Sequence, residues 1–158
     1  MKTGYITEAV IKTCVFTLQV ETSRSPTFID ITDRVLKCVS KSKVRNGFVL
    51  VYSKHTTAAI TIQENEPLLL DDFCDMLERV SPSDAEYRHN DFNIRTVHMH
   101  ENECPNGHSH CQHLVLGTSE TLPIIDSVLP LGEFQRVFVV ELDREKGHRE
   151  VLIQIMGV

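Results

Sequence analysis

Hydrophobic and polar positions alternate in short runs along most of the chain, with two helical stripes set between them. Phe16, Leu18 and Val20 alternate with polar neighbours, the period of a half-buried strand. Asp30 stands where it would cap a helix whose apolar positions Ile31, Val35 and Cys38/Val39 recur at helical spacing. The turn pair Asn46-Gly47 is expected to end that helix. GFVLVYS (47–53) reads as a short buried strand, and Ala58, Ile60 and Ile62 as a strand able to pair with it. Asn65 is the expected cap of a second helix, with Pro67 in its first turn, where a missing N–H costs little. Its apolar stripe is Leu69, Phe73, Met76/Leu77 and Val80, and Ser81-Pro82 ends it. After a polar stretch over about 81–110, strands are expected at about 111–117, 134–141 and 150–156. In the last of these Val151, Ile153 and Ile155 alternate cleanly. Two main helices among six or more strands predict an α+β fold with a largely antiparallel sheet or sandwich.

Length agrees with that picture. The chain has 158 residues, enough for a single compact domain over 1–158 that buries about two thirds of its unfolded surface. No repeat, low-complexity tract or Pro/Gly/Ser linker divides it. The net charge of −6 disfavours a basic nucleic-acid or membrane-surface binder. That charge is uneven: residues 1–54 hold nine cationic and four acidic side chains, and residues 71–86 hold six acidic and one cationic. The start, MKTGYITEAVIK, lacks the continuous apolar core of a secretory signal, and no apolar run approaches about 18 residues. Cys14, Cys38, Cys74, Cys104 and Cys111 are scattered, with no CxxC pair, and read as reduced thiols. A cytoplasmic protein is the expectation.

The histidines change the picture most. Five of the eight lie within 98–113: His98, His100, His108, His110 and His113. His98-x-His100 and His108-x-His110 are HxH pairs, and on a strand residues i and i+2 share a face, so each pair can present two imidazoles to one ion. Imidazole suits zinc and other borderline divalent metals, and three ligands plus water make a catalytic site. His55 and His89, distant in sequence, are able to complete such a site. The plain alternative, solvated loop histidines, stays open. Cys104 and Cys111 flank the second pair without structural-zinc spacing and read as spectators. A second cluster lies in KHTTAAITIQEN (54–65). His55 closes one strand, Thr56 and Thr57 supply hydroxyls, and Glu64 and Asn65 stand where the next strand meets a helix. Free N–H groups at that helix start suit a phosphate or carboxylate, against the simpler reading of a cap beside a solvated carboxylate. GxGxxG, GxxxxGK[ST], GxSxG, HExxH and HxE…PCxxC are all missing.

Several segments together resemble one family. HTTAAITIQENEP (55–67), YRH (87–89), NGHSHCQHLVLGTSETLPI (106–124), LGEFQRVFVVELD (131–143), VLIQIMG (151–157) and DIT (30–32) resemble the YjbQ family of secondary thiamine-phosphate synthase-type proteins. The resemblance implies a compact α+β fold assembled as a homotrimer, with a histidine-rich, metal-binding site between subunits. It aligns His55 with the family's HT[TS] histidine, Glu64-Asn65 with its EN pair and His89 with Tyr-x-His. Asn106, His108 and His110 match NxHxH, and Gly117, Ser119, Gly132 and Gln135 match later positions. The implied metal ligands are His55, His89 and His110, with His108 as a fourth. Glu64 and His55 are the implied catalytic groups, Glu64 as general base or acid, and Asn65, Thr56, Asn106 and Arg144 the substrate contacts. The implied cofactor is a divalent metal ion, zinc by preference or magnesium with a pyrophosphate substrate. The implied partner is a phosphorylated small molecule, with neither nucleic acid nor membrane. Lys54, Arg88, Arg95 and Arg144 are the candidate anion partners.

Three departures accompany the match. Phe134 stands where the family usually has Trp, Asp126-Ser127 replaces a turn that usually contains Gly, and 90–105 is longer than in the shorter members. His98 and His100 therefore have no family counterpart. The activity implied joins a pyrimidine pyrophosphate to a thiazole phosphate with loss of pyrophosphate. Two alternatives remain: metal-dependent hydrolysis of a phosphoester, or metal or ligand binding without catalysis.

Overall fold

The computed structural model describes residues 10–143 and 147–158. Within them lie β1 (Lys12–Glu21), β2 (Thr27–Asp30), α1 (Thr32–Ser42), β3 (Gly47–Ser53), β4 (Ala58–Glu64) and α2 (Pro67–Val80). A short 3-10 turn (Arg88–Asn90) follows, then α3 (Gly107–Leu116), β5 (Ser119–Ile124), β6 (Gln135–Glu141) and β7 (His148–Gly157). No helix among the described residues is long and apolar enough to cross a membrane.

The strands form two antiparallel sheets, in the orders β1-β7-β3-β5 and β2-β6-β4. Period-two alternation decides what the four-stranded sheet buries. Phe16, Ile153 and Val51 stand opposite one another on its inner face. There they join a core with Val35, Cys38 and Val39 of α1 and with Ile60, Val137 and Val139 of the second sheet. The central strand of that second sheet, β6, is covered on both sides, so residues 137–141 are buried without interruption. Its other face carries Val140, packed with Ala59, Leu77 and Leu142, and Phe138, which meets Phe28 edge-on at 6.0 Å between ring centroids. The layers are thus sheet, sheet and helices α2 and α3, with α1 wedged against the first core. This is the α+β, largely antiparallel fold expected from the pattern.

Several local expectations are corrected. Helix α1 stops at Ser42, short of Asn46-Gly47, because Lys43 adopts a left-handed φ of 58° and turns Val44 into the core. Asp30 still serves the helix start, its Oδ1 accepting from Thr32 N at 2.8 Å, although Asp30 itself ends β2. Strand β4 pairs with β6 and not with β3, whose edges are taken by β5 and β7. Residues 54–57 therefore cross from one sheet to the other. The cap of α2 is Glu66, whose carboxylate accepts from Leu68 N and Leu69 N, and Asn65 instead donates to Asp30 Oδ2 at 2.9 Å.

The largest correction is at 111–117, which is the end of helix α3 rather than a strand. Its buried side is Ser109 and Gln112, which hydrogen-bond main-chain carbonyls: Ser109 Oγ to Leu142 O, and Gln112 Nε2 to Leu77 O at 3.3 Å and Ser81 O at 3.1 Å. A helix seated through polar groups leaves no apolar stripe to read.

Candidate functional site

At one end of the sandwich the turn after β3, the end of β6, the start of α3 and the chain over 89–104 enclose a cavity of about 680 Å³. That volume suits a small organic ligand. Arg149 lines the cavity and is paired with Glu141, both essentially excluded from solvent. Arg149 Nε donates to Glu141 Oε2 at 2.6 Å, and Nη2 donates to Glu141 Oε1 and to Thr57 Oγ1 at 3.0 Å. Asp143 stands beside them, accepting from Asn106 Nδ2 at 2.8 Å and from the Cys104 thiol at 3.8 Å.

Five histidines line the cavity, and three of them, His55, His89 and His110, reach it from three separate elements. His55 follows β3, and its Nε2 accepts from Glu150 N at 3.0 Å. With that lone pair occupied, the neutral ring carries its proton on Nδ1 and acts as a donor. Tautomer and metal binding are linked here, since an Nδ1 that holds a proton has no lone pair for an ion. His89 and His110 meet edge to face with ring centroids 4.7 Å apart. Their approach depends on Gly107 at the start of α3, where a Cβ would lie 2.5 Å from Tyr87 Cβ. Gly107 N also donates to Asn90 Oδ1 at 2.8 Å, tying the 3-10 turn to the helix. His89 Nε2 is buried with no hydrogen-bond partner among the described residues.

Burial disfavours the protonated form of His55, His110 and His113. Burial pushes the His55 imidazole below its ordinary value of 6.5, and the Arg149 charge adds to this. Burial lowers His110 as well, with His89 the next cause and Asp143 opposing, and burial alone lowers His113. All three take up protons less readily in the fold than in the unfolded chain. The unfolded chain therefore gains protons first as pH falls, so their stabilising effect is complete above about 6.5 and is lost from there down through the lowered folded values. The melting temperature is expected to fall between pH 7.5 and 5.5, and His113→Phe to flatten that slope. A slope equal in variant and wild type would contradict the assignment to His113.

The structure gathers only part of the expected site. His55, Thr56, His89, Asn106 and His110 line the cavity, together with Lys54 and Arg95. His108 does not. On a helix residues i and i+2 point about 200° apart, so its ring lies 6.4 Å from that of Tyr87 with Nε2 3.2 Å from Ser109 Oγ. Glu64 and Asn65 do not reach the cavity either: β4 starts at the cavity end and runs six steps away, about 20 Å at ~3.3 Å per residue. Arg88 lines a separate depression of about 610 Å³. Arg144 lies outside the described residues. Among the described residues no group of three His, Cys, Asp or Glu side chains is arranged to hold a metal ion. Arg149, Glu141, Glu103 and Asp143 were not among the expected site residues. The signal was present: the inward alternation Ile155, Ile153, Val151 continues backward to Arg149, and the buried run of β6 continues to Glu141.

A family model described as UPF0047 protein YjbQ-like matches residues 16–158. The chain belongs to the YjbQ-like family. It is similar to a UPF0047 protein of Methanothermobacter thermautotrophicus, 38% identical over 140 residues, covering 89% of this chain and 90% of that one. It is also similar to the UPF0047 protein YugU of Bacillus subtilis, 30% identical, covering 89% and 98% of the two chains. Among solved structures, a YbjQ-like protein of unknown function from Sulfolobus solfataricus superposes with a TM-score of 0.84 at 30% identity, covering 94% of this chain and all of that one. The YjbQ-like fold therefore accounts for both sheets and the helices that enclose the cavity.

Proposed function

We propose that this YjbQ-like chain is an enzyme acting on a phosphorylated small molecule, with transfer of the thiamine-phosphate synthase type as the named reaction. The observation that carries the reading is the convergence of His55, His89 and His110 with Lys54, Arg95 and Arg149 on one cavity. Each of the three cations is paired with a carboxylate, Lys54 with Glu150, Arg95 with Glu103 and Arg149 with Glu141, and the two guanidinium groups keep N–H donors beyond those pairs. In the transfer, a carbon–nitrogen bond forms as the carbon–oxygen bond to pyrophosphate breaks, and the electron pair leaves with the pyrophosphate. No proton has to move. What the step needs is fixed donors on the departing anion, and N–H groups of His55, Arg95 and Arg149 in a partly dry cavity can supply them.

A divalent ion, zinc or magnesium, fits here only in part. His89 and His110 would hold it, since their rings are adjacent and His89 Nε2 is buried without a partner among the described residues. Bound there, the ion supplies positive charge to phosphate oxygens. The assignment of His55 as an Nδ1–H donor removes it from the ligand set. Hydrolysis of a phosphoester is the second reading. It is favoured by His110, whose neutral ring is able to take a proton from water. Thiamine phosphate formed from the two precursors supports the first reading, and turnover of a chromogenic phosphoester alone supports the second. Neither activity in the purified protein would sink both.

We infer that the active form is a homotrimer. The outer face of the four-stranded sheet carries Val15, Phe48 and Tyr52 exposed, beside half-buried Leu50, Leu152 and Met156. A second copy covering that face would remove a contiguous apolar surface from water. Sedimentation equilibrium should return about three times the 18.0 kDa of one chain, and Phe48→Glu should return one chain's mass. A wild-type mass of one chain would refute the trimer.

A further inference from the structure

Seven side chains in the cavity wall come from the connection between the 3-10 turn and α3, among them Arg95, His98, His100 and Glu103. This connection is held from inside. Arg95 Nη1 donates to Glu103 Oε2 at 3.0 Å, with only 15% and 16% of the two side chains exposed. Arg95 Nη2 donates to His98 O at 3.0 Å, and Glu103 Oε1 accepts from His100 N at 3.2 Å. One ion pair thus fixes the main chain of both histidines. Burial pushes the Glu103 carboxyl up, but the His100 N–H and Arg95 outweigh it and hold the group below its ordinary range, so the pair stays charged.

His98 has a left-handed φ of 52°, a conformation that favours glycine. Neither the His98 nor the His100 ring has a hydrogen-bond partner among the described residues, while their main-chain groups are tied down. A non-glycine residue kept in such a conformation, with its ring presented to a cavity, is the kind of local cost that accompanies a binding role. Arg95 is not exhausted by its two bonds, because a guanidinium has five N–H donors in a fixed fork.

We propose that Arg95, His98 and His100 form a second anion subsite in this cavity, so that the site selects ligands with two anionic groups over those with one. The subsite rests on the phosphorylated-ligand reading. His55 and Arg149 hold one anionic group, and the donors of the 95–100 segment hold the other. Glu103 is a positioning residue that acts through Arg95 and the main chain of His100.

Calorimetric titration of the full chain with inorganic pyrophosphate and with inorganic phosphate tests this. Wild type should prefer pyrophosphate. His98→Gly relieves the backbone and should leave the melting temperature unchanged or higher. It should weaken pyrophosphate about tenfold and phosphate less than twofold, the scale of one charge-assisted hydrogen bond. His100→Ala should behave likewise, whereas His55→Gln should weaken both probes. If His98→Gly and His100→Ala leave pyrophosphate within twofold of wild type while His55→Gln loses it, the subsite is wrong and the phosphorylated-ligand reading stands. Wild type that binds neither probe would overturn both.

Discussion

Arg149→Met should be among the most destabilising single substitutions in the chain, lowering stability by about 3–5 kcal/mol. Both partners of the pair are buried: Arg149 is 2% exposed and Glu141 1%. With the guanidinium gone, Glu141 keeps the Asp143 N–H at 2.8 Å but loses its counter-charge in a place water does not reach. Thr57 loses a partner as well, since Arg149 donates to both its hydroxyl and its carbonyl. For a domain of this size the melting temperature should fall by roughly 2–4 °C per kcal/mol, on the order of 6–20 °C in all. The double substitution Arg149→Met with Glu141→Leu should recover much of this, because a buried pair replaced on both sides by apolar groups is often nearly neutral. A drop of only a degree or two in the single variant would mean that water reaches this pair.

His110→Ala should lower turnover of a phosphorylated substrate while leaving the fold intact, by about 10²–10³-fold where the ring is a donor to the departing anion and about 10²–10⁴-fold where it is the base. His110 is half-buried on the cavity side of α3, and its helix is seated by Ser109 and Gln112 rather than by the imidazole. The variant should therefore melt within a few degrees of wild type. In the transfer reading its loss removes a cavity N–H and the partner of His89; in the hydrolytic reading it removes the base. Activity unchanged in His110→Ala, with binding also unchanged, would place the chemistry elsewhere.

How much of this was legible depended on what each segment buries. Strands β3 and β7 follow from period-two alternation because their inner residues, Val49, Val51, Ile153 and Ile155, are apolar and face an apolar core. Helix α3 does not, because Ser109 and Gln112 seat it through hydrogen bonds, and so Val115 and Leu116 resembled a strand. The same element decides the second HxH pair: on a strand His108 and His110 would share a ligand face, and on the helix they diverge. Glu64 and Asn65 lie nine and ten positions from His55 in sequence, yet an extended strand carries them to the far end of the sheet. The 98–100 pair had no counterpart in the family motifs, and only the tertiary structure shows it beside His55 and His110. Pattern identified the residue types of the site. Which of them meet was fixed by the sheet crossing at 54–57 and by the close approach at Gly107.

The central claim, that this cavity holds a phosphorylated ligand, is tested most directly by following the imidazole resonances of all eight histidines by NMR during titration with inorganic pyrophosphate. The expected result is saturable shifts confined to His55, His89, His98, His100 and His110, with His108, His113 and His148 unmoved. Small shifts spread evenly over all eight, or saturable shifts at His108 and His148 alone, would contradict it.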